Sequence, residues 1–141
     1  MPQTKIKTFQ FPSILGHEKT AVEATTSLAT QMGFSTSQID NLRTAVSEAC
    51  LNAIEHGNQQ NASLPVTLIL TPSQTTLQID IIDQGPGPKT ISQQRPNLSK
   101  KLSGEEHSRG WGLFLIQNLV DELHITQTPQ GHNQTRLIIH I

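Results

Sequence analysis

Polar side chains between Glu48 and His56 have the types and the spacing to act on one bound group. Read as a helix at about 100° per residue, the stretch Ala45 to Gly57 puts Glu48, Asn52, Glu55 and His56 within one arc roughly 100° wide. Leu42, Val46, Cys50 and Ala53 fall on the opposite side, where a core would be. Glu48 and Asn52 stand one turn apart, so a carboxylate and a carboxamide can meet the same ligand. Ala45 and Ala49 border the arc and leave room for that ligand. A solvated helix face would show the same pattern. The case for a site therefore depends on two further clusters.

The first is Asp83-Gln84-Gly85-Pro86-Gly87. Alternation along the preceding strand places Leu77, Ile79, Ile81 and Asp83 on one face. A carboxylate aligned with apolar residues is costly unless something meets it there. Asp83 can accept hydrogen bonds from an exocyclic amine such as that of adenine. Gly85 and Gly87 let the backbone turn sharply against a ligand. An ordinary tight turn has the same composition.

The second is Arg109-Gly110-Trp111-Gly112-Leu113, at the start of a helical pattern. The N–H groups that open a helix have no intrahelical partner, which makes a ready anion site. Trp111 reads as a packing residue. Between the two clusters, Lys89, Arg95, Lys100, Lys101 and Arg109 supply five of the ten basic residues, partly offset by Glu105 and Glu106. A basic, glycine-bounded segment suits a lid over a polyphosphate, although a solvated loop would look alike.

The elements that must position these groups follow from periodicity. Lys5 to Phe11 alternates as a short strand ended by Pro12. His17 to Met32 is a helix, with Ala21, Val22, Thr25, Leu28, Ala29 and Met32 on one side and Gly33 as its stop. Ser35-Thr36-Ser37 offers caps for the next helix, with Asp40 three residues after Ser37 as in a capping box. That helix is expected to run to about His56 and to end at Gly57-Asn58, and Gln59 to Ser63 to form a polar loop. Pro65 to Thr71 and Thr75 to Asp83 are strands around Pro72-Ser73-Gln74. Gln84 to Ser108 lacks periodicity, and long irregular segments in small domains are more often functional or mobile than inert. Gly112 to Leu123 is helical, and His124 to Thr128 pairs with Thr135 to Ile141 around Pro129 to Asn133. The order β-α-α-β-β-loop-α-β-β describes one domain over 1–141, with the lid at about 84–109. It predicts an α+β fold, a two-layer sandwich with a mixed, mostly antiparallel sheet and helices on one face.

Composition narrows the function classes. A chain of 141 residues suits one domain with a sizeable core. Tyr is absent and aromatics are 4%, so packing rests on Leu, Ile, Val and Ala. A formal net charge of −1 gives no basic field for nucleic acid. The lone Cys50 cannot form an internal disulfide and lies on the apolar side of its helix, where it reads as a small hydrophobe. Met1 to Lys5 has no apolar leader pattern, and no run approaches membrane-spanning length. A cytoplasmic protein is expected. The six histidines are scattered without zinc-ligand spacing.

Taken together, Glu48-Ala49-x-x-Asn52-Ala53-x-x-His56-Gly57, Asp83-x-Gly85-x-Gly87 and Gly110-x-Gly112-Leu113 resemble the N, G1 and G2 boxes of the GHKL ATPases. That superfamily takes in gyrase, the heat-shock chaperone, histidine kinases and the mismatch-repair ATPase. Within it, Ala45-Val46-Ser47-Glu48-Ala49 and the short chain are similar to bacterial anti-sigma factor serine kinases. The resemblance covers nearly the whole chain, most loosely at the first helix, and implies a Bergerat-type fold.

It also implies roles. Glu48 would be the general base toward a serine hydroxyl. Asn52 would give an oxygen to Mg²⁺, and His56 would lie near the phosphates of ATP. Asp83 would bind the adenine amine, helped by Thr135 through water, in a pocket shaped by Gly85 and Gly87. Gly110 and Gly112 would bring helix N–H groups to the phosphates, with Leu113 completing the box. Arg109, or a lid lysine such as Lys100 or Lys101, would neutralise charge on the γ-phosphate.

Two departures stand out. Some members carry a basic residue two positions before the first glycine of the last box, where this chain has Ser108. Pro86 and Pro88 stiffen the adenine loop. The resemblance implies an anti-sigma factor that phosphorylates a STAS-type anti-anti-sigma protein and sequesters a sigma factor, as a homodimer. Alternatives are a switch kinase that activates a phosphatase, a histidine-kinase catalytic domain, and a nucleotide-gated binding module without transfer. No helix with a phosphoacceptor histidine is expected ahead of the domain, which disfavours the histidine kinase. Glu48 disfavours the plain binder, which needs no base.

Overall fold

The computed structural model describes residues 5–85 and 109–141. Its strands are β1 (Lys7–Pro12), β2 (Pro65–Pro72), β3 (Thr76–Asp83), β4 (Glu122–Gln127) and β5 (Asn133–His140), in the sheet order β1-β2-β3-β5-β4. Every one of these pairings is antiparallel. The helices are α1 (Glu18–Met32), α2 (Thr36–Asn52) and α3 (Arg109–Leu119). Among the described residues no helix is long and apolar enough to cross a membrane.

The two-layer α+β arrangement follows from period-two burial. Val66, Leu68 and Leu70 of β2, Leu77, Ile79 and Ile81 of β3, and Leu137 and Ile139 of β5 point to one buried face. They join Leu42, Val46, Cys50 and Ile54 from α2 and the turn beyond it in a single core. Burying each Leu, Ile or Val side chain contributes about 1.5–3 kcal/mol. The other sheet face is more polar. Its buried Asp80 is met by Arg136 Nε at 2.7 Å and Gln134 Nε2 at 3.0 Å.

Local chemistry sets the helix ends. Gly33 stops α1 with φ 93°, the left-handed region that a glycine adopts without strain. The cap of α2 is Ser35, not Ser37. Its Oγ accepts from Gln38 N–H at 3.1 Å, and Gln38 Oε1 accepts from Ser35 N–H at 3.0 Å. The helix thus begins two residues earlier than the Ser37–Asp40 pair suggests, directly after the buried Phe34.

α2 also ends differently from expectation. It stops at Asn52 and continues as a π-helical turn, Ala53–Gly57, closed by Asn58 N–H to Ala53 O at 2.8 Å. Gln59 and Gln60 then sit at φ 53° and 58°. Left-handed backbone costs such residues about 1–2 kcal/mol each. α3 begins at Arg109 and ends at Leu119, short of the expected Leu123. The sheet takes over there. Asp121 N–H donates to Ile138 O at 3.0 Å, and Leu123 stands opposite Leu137.

Antiparallel register gathers one set of termini. Pro12 pairs with Pro65 and Asp83 with Asn133, so the ends of β1 and β3 and the starts of β2 and β5 share one edge of the molecule. The π-helical turn reaches the same edge, because Gly57 abuts Asp83.

Candidate functional site

Asp83 is 3% exposed at the end of β3. Its charge is met, as its apolar neighbours require. Asp83 Oδ1 accepts from Gly85 N–H at 2.8 Å and from Asn133 Nδ2 at 2.8 Å, and the same Asn133 amide donates to Gly85 O. The Asp83–Gly85 turn is therefore closed on itself and tied to β5. Gly57 packs flat against it. A Cβ added to Gly57 would lie 2.5 Å from Asp83 Oδ1 and closer still to Cγ and Oδ2. A Cβ added to Gly85 would lie 2.7 Å from Gly57 Cα and closer to its carbonyl. Both glycines are required by close approach. Thr135, opposite Ile81 in register, is half-buried on the same face as Asn133.

A second focus lies where α3 meets α2. A Cβ at Gly112 would stand 3.0 Å from Asn52 Nδ2, 3.2 Å from Asn52 Oδ1 and 3.2 Å from Glu48 Oε1. The first turn of α3 thus closes onto the two polar groups of α2, and a side chain at position 112 would press on both. Asn52 is 4% exposed, and neither polar atom of its carboxamide has a hydrogen-bond partner among the described residues. Leaving such a group unsatisfied costs roughly 1–3 kcal/mol. The orphaned oxygen therefore fits a bound metal ion or ligand that would complete it. His56 Nε2 is likewise buried without a partner among the described residues.

Mg²⁺ needs only one or two protein oxygens when phosphates and waters fill the rest of its shell. Asn52 can supply one, with Glu48 beside it. At about 1.5 Å per residue, the path from Glu48 to Gly57 covers on the order of 13 Å. One helix and its π-turn thus connect a focus suited to phosphates and metal with a focus suited to a base.

Other expected site residues are placed variously. Ala45 and Ala49 do not border an open cleft, because both are buried in the core. Leu113 is 2% exposed in the same core and seats α3. Gly110 lies in the first turn of α3 with Arg109. Gly87, Lys100 and Lys101, with Lys89 and Arg95, lie outside the described residues, as do the lid between 86 and 108 and the side chain of Arg109. Two residues of the site escaped the sequence reading. Asn133 appeared only as part of a turn and Asn58 only as a helix stop. The signal for Asn133 was its position opposite Asp83, which needs the strand register to see.

Cys50 is fully buried, and burial pushes its thiol up, with the Glu18 carboxylate adding to the effect. A thiol held protonated is a poor nucleophile. Folded protein should therefore resist iodoacetamide at pH 8 and be labelled at Cys50 only after denaturation. Rapid labelling of the native state, followed by mass spectrometry, would contradict this.

Comparison with known proteins agrees with the fold. The histidine kinase-like ATPase domain family matches residues 11–139. An anti-sigma F factor of Thermoanaerobacter sp. (strain X514) is 29% identical over 142 residues, covering 100% of this chain and 97% of the relative. The anti-sigma F factor of Bacillus subtilis (strain 168) is 26% identical over 132 residues, covering 94% of this chain and 90% of the relative. A serine-protein kinase RsbW of Bacillus licheniformis (strain ATCC 14580) is 31% identical over 102 residues, covering 70% of this chain and 63% of the relative. The solved RsbU and RsbW domains of a Mycobacterium tuberculosis protein share the fold, with a TM-score of 0.67 at 18% identity. That match covers 96% of this chain and 32% of the solved one. The chain belongs to the histidine kinase-like ATPase domain family, and within it is similar to the anti-sigma F factors and the RsbW serine-protein kinases.

Proposed function

We propose that this chain is an ATP- and Mg²⁺-dependent protein serine kinase and anti-sigma factor, active as a cytoplasmic homodimer. Its phosphoryl acceptor is a STAS-type anti-anti-sigma protein, and its second partner is a sigma factor. The observation that carries this reading is the closure of Gly112 onto Glu48 and Asn52 while Gly57, further along the same helix, backs Asp83. Relatives named anti-sigma F factor and serine-protein kinase support it.

On this reading Asp83 accepts the adenine amine, assisted by Thr135 through water. The N–H groups of Gly110 and Gly112 point to the phosphates, near His56. Asn52 would hold Mg²⁺, which would offset phosphate charge when bound. The acceptor serine oxygen forms a bond to the γ-phosphorus, Glu48 takes the hydroxyl proton, and the bond to the β,γ-bridging oxygen breaks to release ADP. Arg109, or a lid lysine such as Lys100 or Lys101, neutralises charge on the transferring group. Phosphorylation stops the acceptor from displacing sigma. The coupling requires that nucleotide state favour one partner over the other by differential affinity.

The test is phosphotransfer from labelled ATP to a purified STAS partner, with sigma co-purification in ATP and in ADP. Label on a partner serine and nucleotide-dependent sigma retention are expected. ATP binding without transfer would reduce the chain to a nucleotide-gated binder. Transfer without sigma retention would favour a switch kinase. Sedimentation equilibrium reads the dimer directly.

Asp83→Asn should weaken ATP binding more than tenfold, about 1.4 kcal/mol or more. Its amide oxygen would be kept by the Gly85 and Asn133 donors, turning an NH₂ group toward the adenine amine. Unchanged affinity by isothermal titration would remove Asp83 from the base site.

A further inference from the structure

We propose that Asn58 is a positioning residue for base recognition, holding the Asp83–Gly85 turn in the geometry that lets the protein select an amino-purine. The proposal rests on the reading of Asp83 as the adenine contact and names what sets that contact in place.

Asn58 is 2% exposed, and its carboxamide is used at both ends. Asn58 Oδ1 accepts from Gln84 N–H at 2.7 Å, in the middle of the turn that follows β3. Asn58 Nδ2 donates to Ser13 Oγ at 2.9 Å, to Leu64 O at 3.2 Å and to Pro65 O at 3.2 Å. Ser13, fully buried, donates in turn to Leu64 O at 2.6 Å. One side chain therefore joins the exit of β1, the entry of β2 and the turn after β3.

Its own backbone closes the π-helical turn, directly after the glycine that backs the Asp83 carboxylate. Asn133 holds the opposite side of the same turn, at Asp83 Oδ1 and Gly85 O. Asn58 and Asn133 thus grip the segment from two sides. Without Asn58, Gln84 N–H would lose its acceptor and the Asp83–Gly85 turn would lose its hydrogen-bonded tie to the end of the π-helical turn. A carboxylate that can drift still binds a phosphate-anchored nucleotide, but it no longer discriminates at the base.

The measurement uses ATP and inosine triphosphate, which carries an oxygen in place of the adenine amine. Wild-type protein should prefer ATP. Asn58→Ala should weaken ATP about tenfold and inosine triphosphate less than about threefold, so that the ratio collapses. Asn58→Asp keeps an acceptor for Gln84 N–H, and its ratio should return toward wild type even though its carboxylate faces two carbonyls. Leu70→Ala, in the core at the far end of β2, lowers stability without changing the ratio. Hydrogen exchange on the wild type supplies an independent reading, in which the Gln84 amide is protected.

A folded Asn58→Ala protein with the wild-type ratio, or a Gln84 amide exchanging at the rate of an unstructured peptide, would overturn the proposal. If Asn58→Ala does not fold, Asn58→Asp and the wild-type amide decide. Wild-type protein that binds no ATP would sink the parent reading and base selection with it. A wild type that discriminates alongside an alanine variant that discriminates equally would sink only the role of Asn58.

Discussion

On the proposed reading, Glu48→Gln should cut phosphoryl transfer about 10²–10⁴-fold and leave ATP binding in place. The substitution keeps the length and volume of the side chain, so the close packing of Gly112 against positions 48 and 52 is undisturbed. It removes the negative charge and, with it, the ability to take a proton. The acceptor serine hydroxyl must lose its proton as its oxygen bonds to phosphorus, and a positioned base accounts for about 10²–10⁴ in rate. Single-turnover transfer from labelled ATP should fall by that factor, while isothermal titration returns an affinity within about threefold of wild type. Asn52→Ala provides the contrast. It removes the orphaned carboxamide oxygen, and if that oxygen holds Mg²⁺ as proposed, Mg²⁺-dependent binding and transfer should fall together. Transfer by Glu48→Gln at the wild-type rate would mean that the proton leaves by another route and that Glu48 is not the base.

The parts legible from sequence are those set by period and by single-residue chemistry. Alternation placed Leu77, Ile79 and Ile81 on one face and exposed the anomaly of Asp83 among them, which the structure resolves with Gly85 N–H and Asn133. The Gly33 stop followed from the one residue type that takes a positive φ without strain. Features that depend on competition between distant segments were not legible. α3 loses its last turn because Asp121 and Leu123 pair with β5, and local helical pattern cannot weigh that alternative. The π-helical turn after Asn52 re-aims Glu55, His56 and Gly57, and a uniform 100° wheel cannot anticipate it. Asn58 and Asn133 look like ordinary turn residues until the register brings them to either side of one loop. Sequence therefore reveals the groups that face a ligand sooner than those that hold them still.

That distinction governs the second large effect, at Gly57. Gly57→Ala should abolish detectable ATP binding, a loss on the order of 100-fold or more, and lower stability by about 1–3 kcal/mol. The new methyl would stand 2.5 Å from Asp83 Oδ1 and nearer to Cγ. Movement of a flexible side-chain end would relieve such a contact cheaply, but Asp83 is buried and held by Gly85 and Asn133. Its carboxylate can leave only by breaking those bonds. Shifting Gly57 instead drives its carbonyl into Gly85, which already stands too close to admit a Cβ. The clash and the loss of the ligand contact can be separated. In an Asp83→Ala background the atoms that meet the new methyl are gone, so adding Gly57→Ala should cost little further stability, while ATP binding stays lost. Chemical denaturation of the two single variants and the double variant measures that coupling. Equal destabilisation by Gly57→Ala in both backgrounds would show that the strain is not against Asp83, and a Gly57→Ala protein binding ATP like wild type would separate the π-helical turn from the base site.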